Sequence, residues 1–183
     1  MKARIAVLLA FAATCFAAAQ ATAQQRRASP HETVSAVVEN NRVTLVYGRP
    51  YTKNPRTGEV RKIWGGLIPY DRVWRLGADE ATLFITQKPL KIGDSTLSAG
   101  AYSLFLLPRE HSATQLIINK QIGQWGLQYS SDSDLVRVDM KKDKLSKPVE
   151  QFTMALEKES TGGGRLVLKW EATEFSVPFT VVR

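Results

Sequence analysis

From residue 33 onward the apolar positions of this chain recur every second residue in short runs, and no segment carries the i, i+3, i+4 spacing of a long amphipathic helix. Runs 33–39 and 42–48 are rich in Val and are joined by Asn40-Asn41, a pair that tolerates the positive φ of a tight hairpin. In the second run Val43, Leu45 and Tyr47 share one face while Arg42 and Thr44 share the other, which predicts a strand buried on one side. Short strands are predicted at 90–93 and 95–97 around the turn Gly93-Asp94. Residues 102–107 (YSLFLL) are apolar on both faces and read as a central strand, with 114–119 as its partner. Run 135–140 alternates, 149–157 directs Phe152, Met154 and Leu156 inward, and 165–171 does the same with Leu166, Leu168 and Trp170. The last run, 174–182, offers Phe175, Val177, Phe179 and Val181 to a core. Pro178 falls on its opposite face and marks it as an edge, because Pro lacks the N–H a ladder needs. The pattern predicts an all-β protein, an antiparallel β-sandwich or flattened barrel of about ten short strands.

One stretch, 64–82, breaks the alternation. It places Trp64, Tyr70 and Trp74 among Asp71, Arg72, Arg75, Asp79 and Glu80, and long connections of this kind inside compact domains are functional sites or packed Ω-loops. A hairpin of 73–75 with 80–85 would set Arg75 opposite Glu80 as an ion pair and turn Trp74 to the other face. A basic turn region at 51–62 (Lys53, Arg56, Arg61, Lys62) leads into the stretch, and a second aromatic loop at 120–134 holds Trp125 and Tyr129.

The amino-terminal residues change the setting. Lys2 and Arg4 precede an apolar run at 5–19, and Ala21-Thr22-Ala23 supplies a small-residue cleavage site before Gln24. The run is shorter than the roughly 18 residues a membrane span requires, so residues 1–23 read as a signal peptide. Residues 24–32 read as a disordered lead-in and 33–183 as a single β domain. The expected location is extracytoplasmic, periplasmic or secreted, with no integral membrane span after cleavage. Cleavage would remove the single Cys, leaving no thiol chemistry, and would lower the net charge from +8 to +6. The remaining basic residues are dispersed; the densest group, 141–147, contains no aromatic residue and reads as a solvated loop. Nucleic acid is therefore not an expected partner, and a small molecule, glycan or envelope component is.

Several segments together resemble a known family. These are Thr33-Val34-Ser35, Val43-Thr44, Tyr47-x-Arg49-Pro50, Pro69-Tyr70-x-x-Val73-Trp74-Arg75-x-Gly77-Ala78-x-Glu80-Ala81-Thr82, Ala99-Gly100-x-Tyr102-Ser103-Leu104-Phe105, Asn119-Lys120 and Gln124-Trp125-Gly126. They resemble the bacterial exported family called domain of unknown function 2911, over 33–181. The resemblance implies an exported, mostly β, single-domain protein and assigns no catalytic residue or cofactor. Leu76 and Asp79 depart from the Thr and Asn expected at those places, and 54–61 is a longer turn than usual.

The candidate chemistry is sparse. His31 and His111 are the only histidines, too few for a zinc centre built from His and Cys or for a Ser-His-acid triad, and both read as solvated surface residues. No metal and no cofactor is expected. Asp71, Asp79 and Glu80 lie near aromatic rings that could shelter a sugar, which keeps a carboxylate-dependent glycan hydrolase as an alternative. A structural envelope or assembly protein, pairing through the Pro178 edge strand or another sheet edge, is another. The favoured reading is a binding module without catalysis, its candidate ligand-binding residues being Arg49, Lys53, Tyr70, Trp74, Arg75, Glu80 and Trp125. The alternative role for the same aromatic set is a plug sealing one end of the sandwich. The mature chain is expected to begin at Gln24, which amino-terminal sequencing of the exported protein checks.

Overall fold

A computed structural model describes residues 27–182. The signal peptide expected at 1–23 lies outside the described residues, as does the first part of the lead-in. Ten strands follow in order: β1 (His31–Val38), β2 (Asn41–Gly48), β3 (Thr82–Thr86), β4 (Leu90–Ile92), β5 (Ser95–Leu97), β6 (Gly100–Leu107), β7 (Gln115–Asn119), β8 (Asp134–Asp139), β9 (Lys141–Lys158) and β10 (Gly164–Val181). A single turn of 3-10 helix, Ser131–Ser133, is the only helical element among the described residues. No helix there is long and apolar enough to cross a membrane.

The strands form two antiparallel sheets, β1-β2-β3-β6-β7-β8 and β5-β4-β10-β9, so the architecture is a sandwich and not a closed barrel. Val43, Leu45 and Tyr47 of β2, with Leu104 and Leu106 of β6, face Phe152 and Met154 of β9 and Leu166, Leu168 and Trp170 of β10. The Tyr47 hydroxyl ties the sheets together: it donates to Glu32 Oε2 (2.9 Å) and accepts from the Met154 N–H (2.8 Å). Burial pushes this phenol well above its ordinary pKa. Arg49 adds a second tie, donating to the Phe152 carbonyl (3.1 Å) and Thr153 Oγ1 (2.8 Å) while pairing with Glu32 (3.0 Å).

The two terminal runs expected as separate strands are one strand, β10. Even-numbered residues face the core up to Trp170, and odd-numbered ones do so from Phe175. The change of phase comes from register shifts on both sides of Glu171, which takes a left-handed φ of 50°. A left-handed residue inside a strand breaks its alternation and turns the later side chains to the opposite face. The extra residues of the ladder lie on β9, which runs from Thr153 to Lys144 while β10 runs from Lys169 to Thr173. Pro178 is not at an edge. β10 runs between β4 and β9, and Pro178 falls between Ser176, the last residue paired to β9, and Phe179, the first paired to β4, where no donor is required. The 141–147 group is likewise not a loop but the first part of β9, paired with β10 through Lys141, Lys142, Asp143 and Lys144. β1 begins at His31, two residues ahead of the predicted run.

Both faces of β6 are buried, as its sequence requires, but by different partners. One face enters the core between the sheets. The other carries Phe105 and Leu107, which pack with Ile117, Ala81, Val73 and Tyr129 under the two aromatic loops. Trp170 is 1% exposed and in ring contact with Trp64, Trp74 and Phe152. Trp170→Ala is expected to cost about 3–5 kcal/mol in chemical denaturation, with the midpoint lowered and the slope unchanged.

Candidate functional site

The hairpin expected over 76–79 does not form. Trp74 instead exchanges both backbone hydrogen bonds with Leu106 of β6 (2.8 Å each), and β3 resumes pairing with the same strand at Thr82–Leu104. The chain thus leaves the flank of β6 after Trp74 and returns to it at Thr82, with the Thr82 N–H donating to the Arg75 carbonyl (3.3 Å) at the neck. Side chains at the neck hold the excursion. The Trp74 indole N–H donates to the Gly77 carbonyl (3.1 Å) and the Thr82 hydroxyl to the Leu76 carbonyl (2.7 Å). Leu76 and Asp79 are left-handed, at φ 53° and 66°. The loop lies directly on the end of β2, where a Cβ on Gly48 would come within 2.3 Å of the Ala78 carbonyl oxygen. The 120–134 loop clasps it from the other side through Gly126 N–H to Asp79 O (3.0 Å), Ala81 N–H to Gln124 O (3.3 Å) and a bridge between Glu80 and Trp125.

Beneath the excursion lies a groove of about 740 Å³ whose lining includes Tyr51, Arg61, Leu67, Arg72, Trp74, Arg75, Asp79, Leu127, Tyr129 and Trp170. The rings of Trp74 and Trp170 are stacked at 5.7 Å. Arg61 is engaged with the Tyr51 and Thr52 carbonyls. Arg75 is not paired with Glu80, contrary to the sequence expectation. Its stem lies against Gly126, where a Cβ would come within 2.1 Å of Cδ, and its buried Nε has no hydrogen-bond partner among the described residues. The buried Trp170 Nε1 has none either.

Of the residues expected to bind a ligand, Trp74 and Arg75 line this groove. Glu80 and the half-exposed Trp125 sit at its margin, joined by their backbone bridge. Arg49 is committed to β9 and Glu32, Lys53 belongs to the exposed turn bridged to Val60, and Tyr70 packs over Gly65; these three are not among the lining residues. Asp71 pairs with Arg109 at 2.6 Å.

Glu80 has a partner that the sequence pattern did not suggest. Arg27 reaches both of its carboxylate oxygens (2.7 and 2.9 Å), and His31 Nε2 lies 3.4 Å from Glu80 Oε2 and 3.4 Å from Asp79 Oδ2. The guanidinium's hydrogen bonds hold the Glu80 carboxyl below the usual carboxylate range, which suits an ion and not a general acid. His31 belongs to β1 and not to the disordered lead-in expected over 24–32. Extending the period-2 alternation back from Thr33 and Ser35 would have put His31 on the same face of β1.

Tyr129 forms a further polar group at the groove. Its hydroxyl donates to Asp134 Oδ2 (2.6 Å) and accepts from Arg137 (2.8 Å), while its ring packs on Phe105 at 4.9 Å.

The family model described as "Protein of unknown function (DUF2911)" matches residues 29–179. The chain belongs to this family. No curated protein and no solved structure matches the chain. The DUF2911 match takes in His31, the excursion and the 120–134 loop that clasps it, and it starts beyond Arg27.

Burial and the Asp134 hydrogen bond push the Tyr129 phenol up to about 12. Its unfolded value is about 10, so its contribution is complete below pH 10 and lost as the pH rises toward 12. Tm measured across that window should fall less in Tyr129→Phe than in the parent chain.

Proposed function

We propose that this DUF2911 domain is an exported, non-catalytic module that binds a small extracytoplasmic ligand in the groove beneath the 64–82 excursion. The ligand presents an apolar face to Trp74 and Tyr51 and an acceptor group, a carboxylate or phosphate, to Arg75. The observation that carries the reading is a pair of groove-lining side chains with unanswered donors: Arg75 Nε and Trp170 Nε1 are buried without an acceptor among the described residues. A buried donor left unpaired costs about 1–3 kcal/mol, so a ligand oxygen placed there recovers a penalty the fold already carries. The volume falls within the roughly 300–1,000 Å³ of small-molecule sites. The guanidinium offers the planar fork that matches carboxylate and phosphate. A hydrolytic role finds less support, because Asp71 and Glu80 are both engaged by Arg side chains.

Thermal shift against uronic acid oligosaccharides, muramyl dipeptide and short-chain phosphatidylglycerol tests the reading. At about a hundredfold excess over Kd, binding adds about 2.7 kcal/mol and raises Tm by several degrees. The rise should vanish in Arg75→Ala and be reduced in Arg75→Lys, which keeps charge but not the fork. A flat response across the panel, or a rise that survives Arg75→Ala, rejects it.

A further inference from the structure

We propose that His31, Asp79 and Glu80 form a binding site for a divalent transition-metal ion of the zinc class, and that Arg27 competes with the metal for it. The three donors come from separate parts of the fold: His31 opens β1, and the two carboxylates belong to the excursion. His31 Nε2 is 3.4 Å from Asp79 Oδ2 and 3.4 Å from Glu80 Oε2, and the three donor atoms all lie within 4.8 Å of one another. Ligand atoms bound at about 2.0–2.2 Å in a tetrahedral site are about 3.3–3.6 Å apart. Two edges of the triangle therefore already have the length that coordination demands. One imidazole with two carboxylates is a donor set that zinc and its neighbours accept, leaving a fourth position open.

A second observation points the same way. Asp79 Oδ2 is a buried atom of a side chain that is 30% exposed, and it has no hydrogen-bond partner among the described residues. A buried anionic oxygen without a donor is unfavourable, and the groups closest to it in charge are His31 Nε2 at 3.4 Å and Arg27 Nη1 at 3.8 Å. The carboxylates are placed independently of His31, since Gly126 holds the Asp79 carbonyl and Trp125 bridges to Glu80.

The place already holds a cationic group of the chain itself. Arg27 Nη1 sits 2.7 Å from Glu80 Oε2, 3.2 and 2.7 Å from His31 Nδ1 and Nε2, and 3.8 Å from Asp79 Oδ2. The donors fall inside the family match at residues 29–179, and the competing guanidinium falls outside it. The site adjoins the ligand groove and shares Asp79 with it. Asp79 borders both, but His31 and Glu80 do not line the groove, so substitutions there separate the two readings.

The full mature chain, treated with chelator and exchanged into metal-free buffer, is titrated with zinc chloride by calorimetry. Cobalt(II) serves as a second probe, read by its visible absorption. One equivalent of zinc is expected, with a four-coordinate cobalt spectrum. His31→Ala and Glu80→Gln should each weaken binding by about tenfold or more, while Arg27→Ala should tighten it by about threefold to tenfold by removing the competitor. His31→Gln, which preserves the strand's polar face, repeats the test should the Ala variant fold poorly. Absence of zinc uptake by both the parent chain and Arg27→Ala at millimolar metal overturns the proposal. So does uptake that His31→Ala and Glu80→Gln leave unchanged, or a preference for calcium over zinc.

Discussion

Trp74 serves the backbone and the core together. Its main chain extends the ladder along β6 through two hydrogen bonds to Leu106, while its ring lies in the core against Trp64, Phe152 and Trp170. The indole N–H then reaches forward to the Gly77 carbonyl. These three attachments fix where the chain departs from the sheet, and hence where Arg75, Asp79 and Glu80 stand. A residue lacking any one of them, a Phe without the N–H for instance, would leave the Gly77 carbonyl unanswered at a buried position.

The strands were legible because one buried face imposes a strict period of two, and eight of the predicted runs correspond to single observed strands at nearly the same bounds. The central place of YSLFLL could be read as well, since its apolar residues leave no face for water. What the pattern could not convey was pairing at a distance. Val73 to Arg75 was given the nearest possible partner, whereas the observed partner of Trp74 is Leu106, more than thirty positions along the chain. The break between the last two runs was visible as a change of phase. A bulge and a turn both produce such a change, and only the pairing with β9 on either side of Glu171 distinguishes them.

The site was legible in part. Trp74 and Arg75 stood out because an aromatic and charged stretch interrupts a β pattern, and both line the groove. Arg49 looks equally available in sequence, yet just beyond β2 it lies beside β9, where the Phe152 carbonyl and the Thr153 hydroxyl take up its donors. Glu80 was given the wrong guanidinium for the same reason as the hairpin: Arg75 is near in sequence, and Arg27 is near in space. The neighbourhood of His31, Asp79 and Glu80 arises from strand β1 passing under the excursion, which no spacing rule within either segment encodes.

The left-handed residue at Glu171 governs how the carboxyl-terminal strand can change over evolutionary time. Upstream and downstream halves obey opposite parities, so losing that one position would turn Phe175, Val177 and Phe179 away from the core and direct Ser176 and Pro178 into it. Insertions or deletions in this strand are tolerable only in compensating pairs, whereas point substitutions that respect each half's own parity remain open. A length constraint of this kind falls on the backbone's counting and leaves side-chain identity comparatively free.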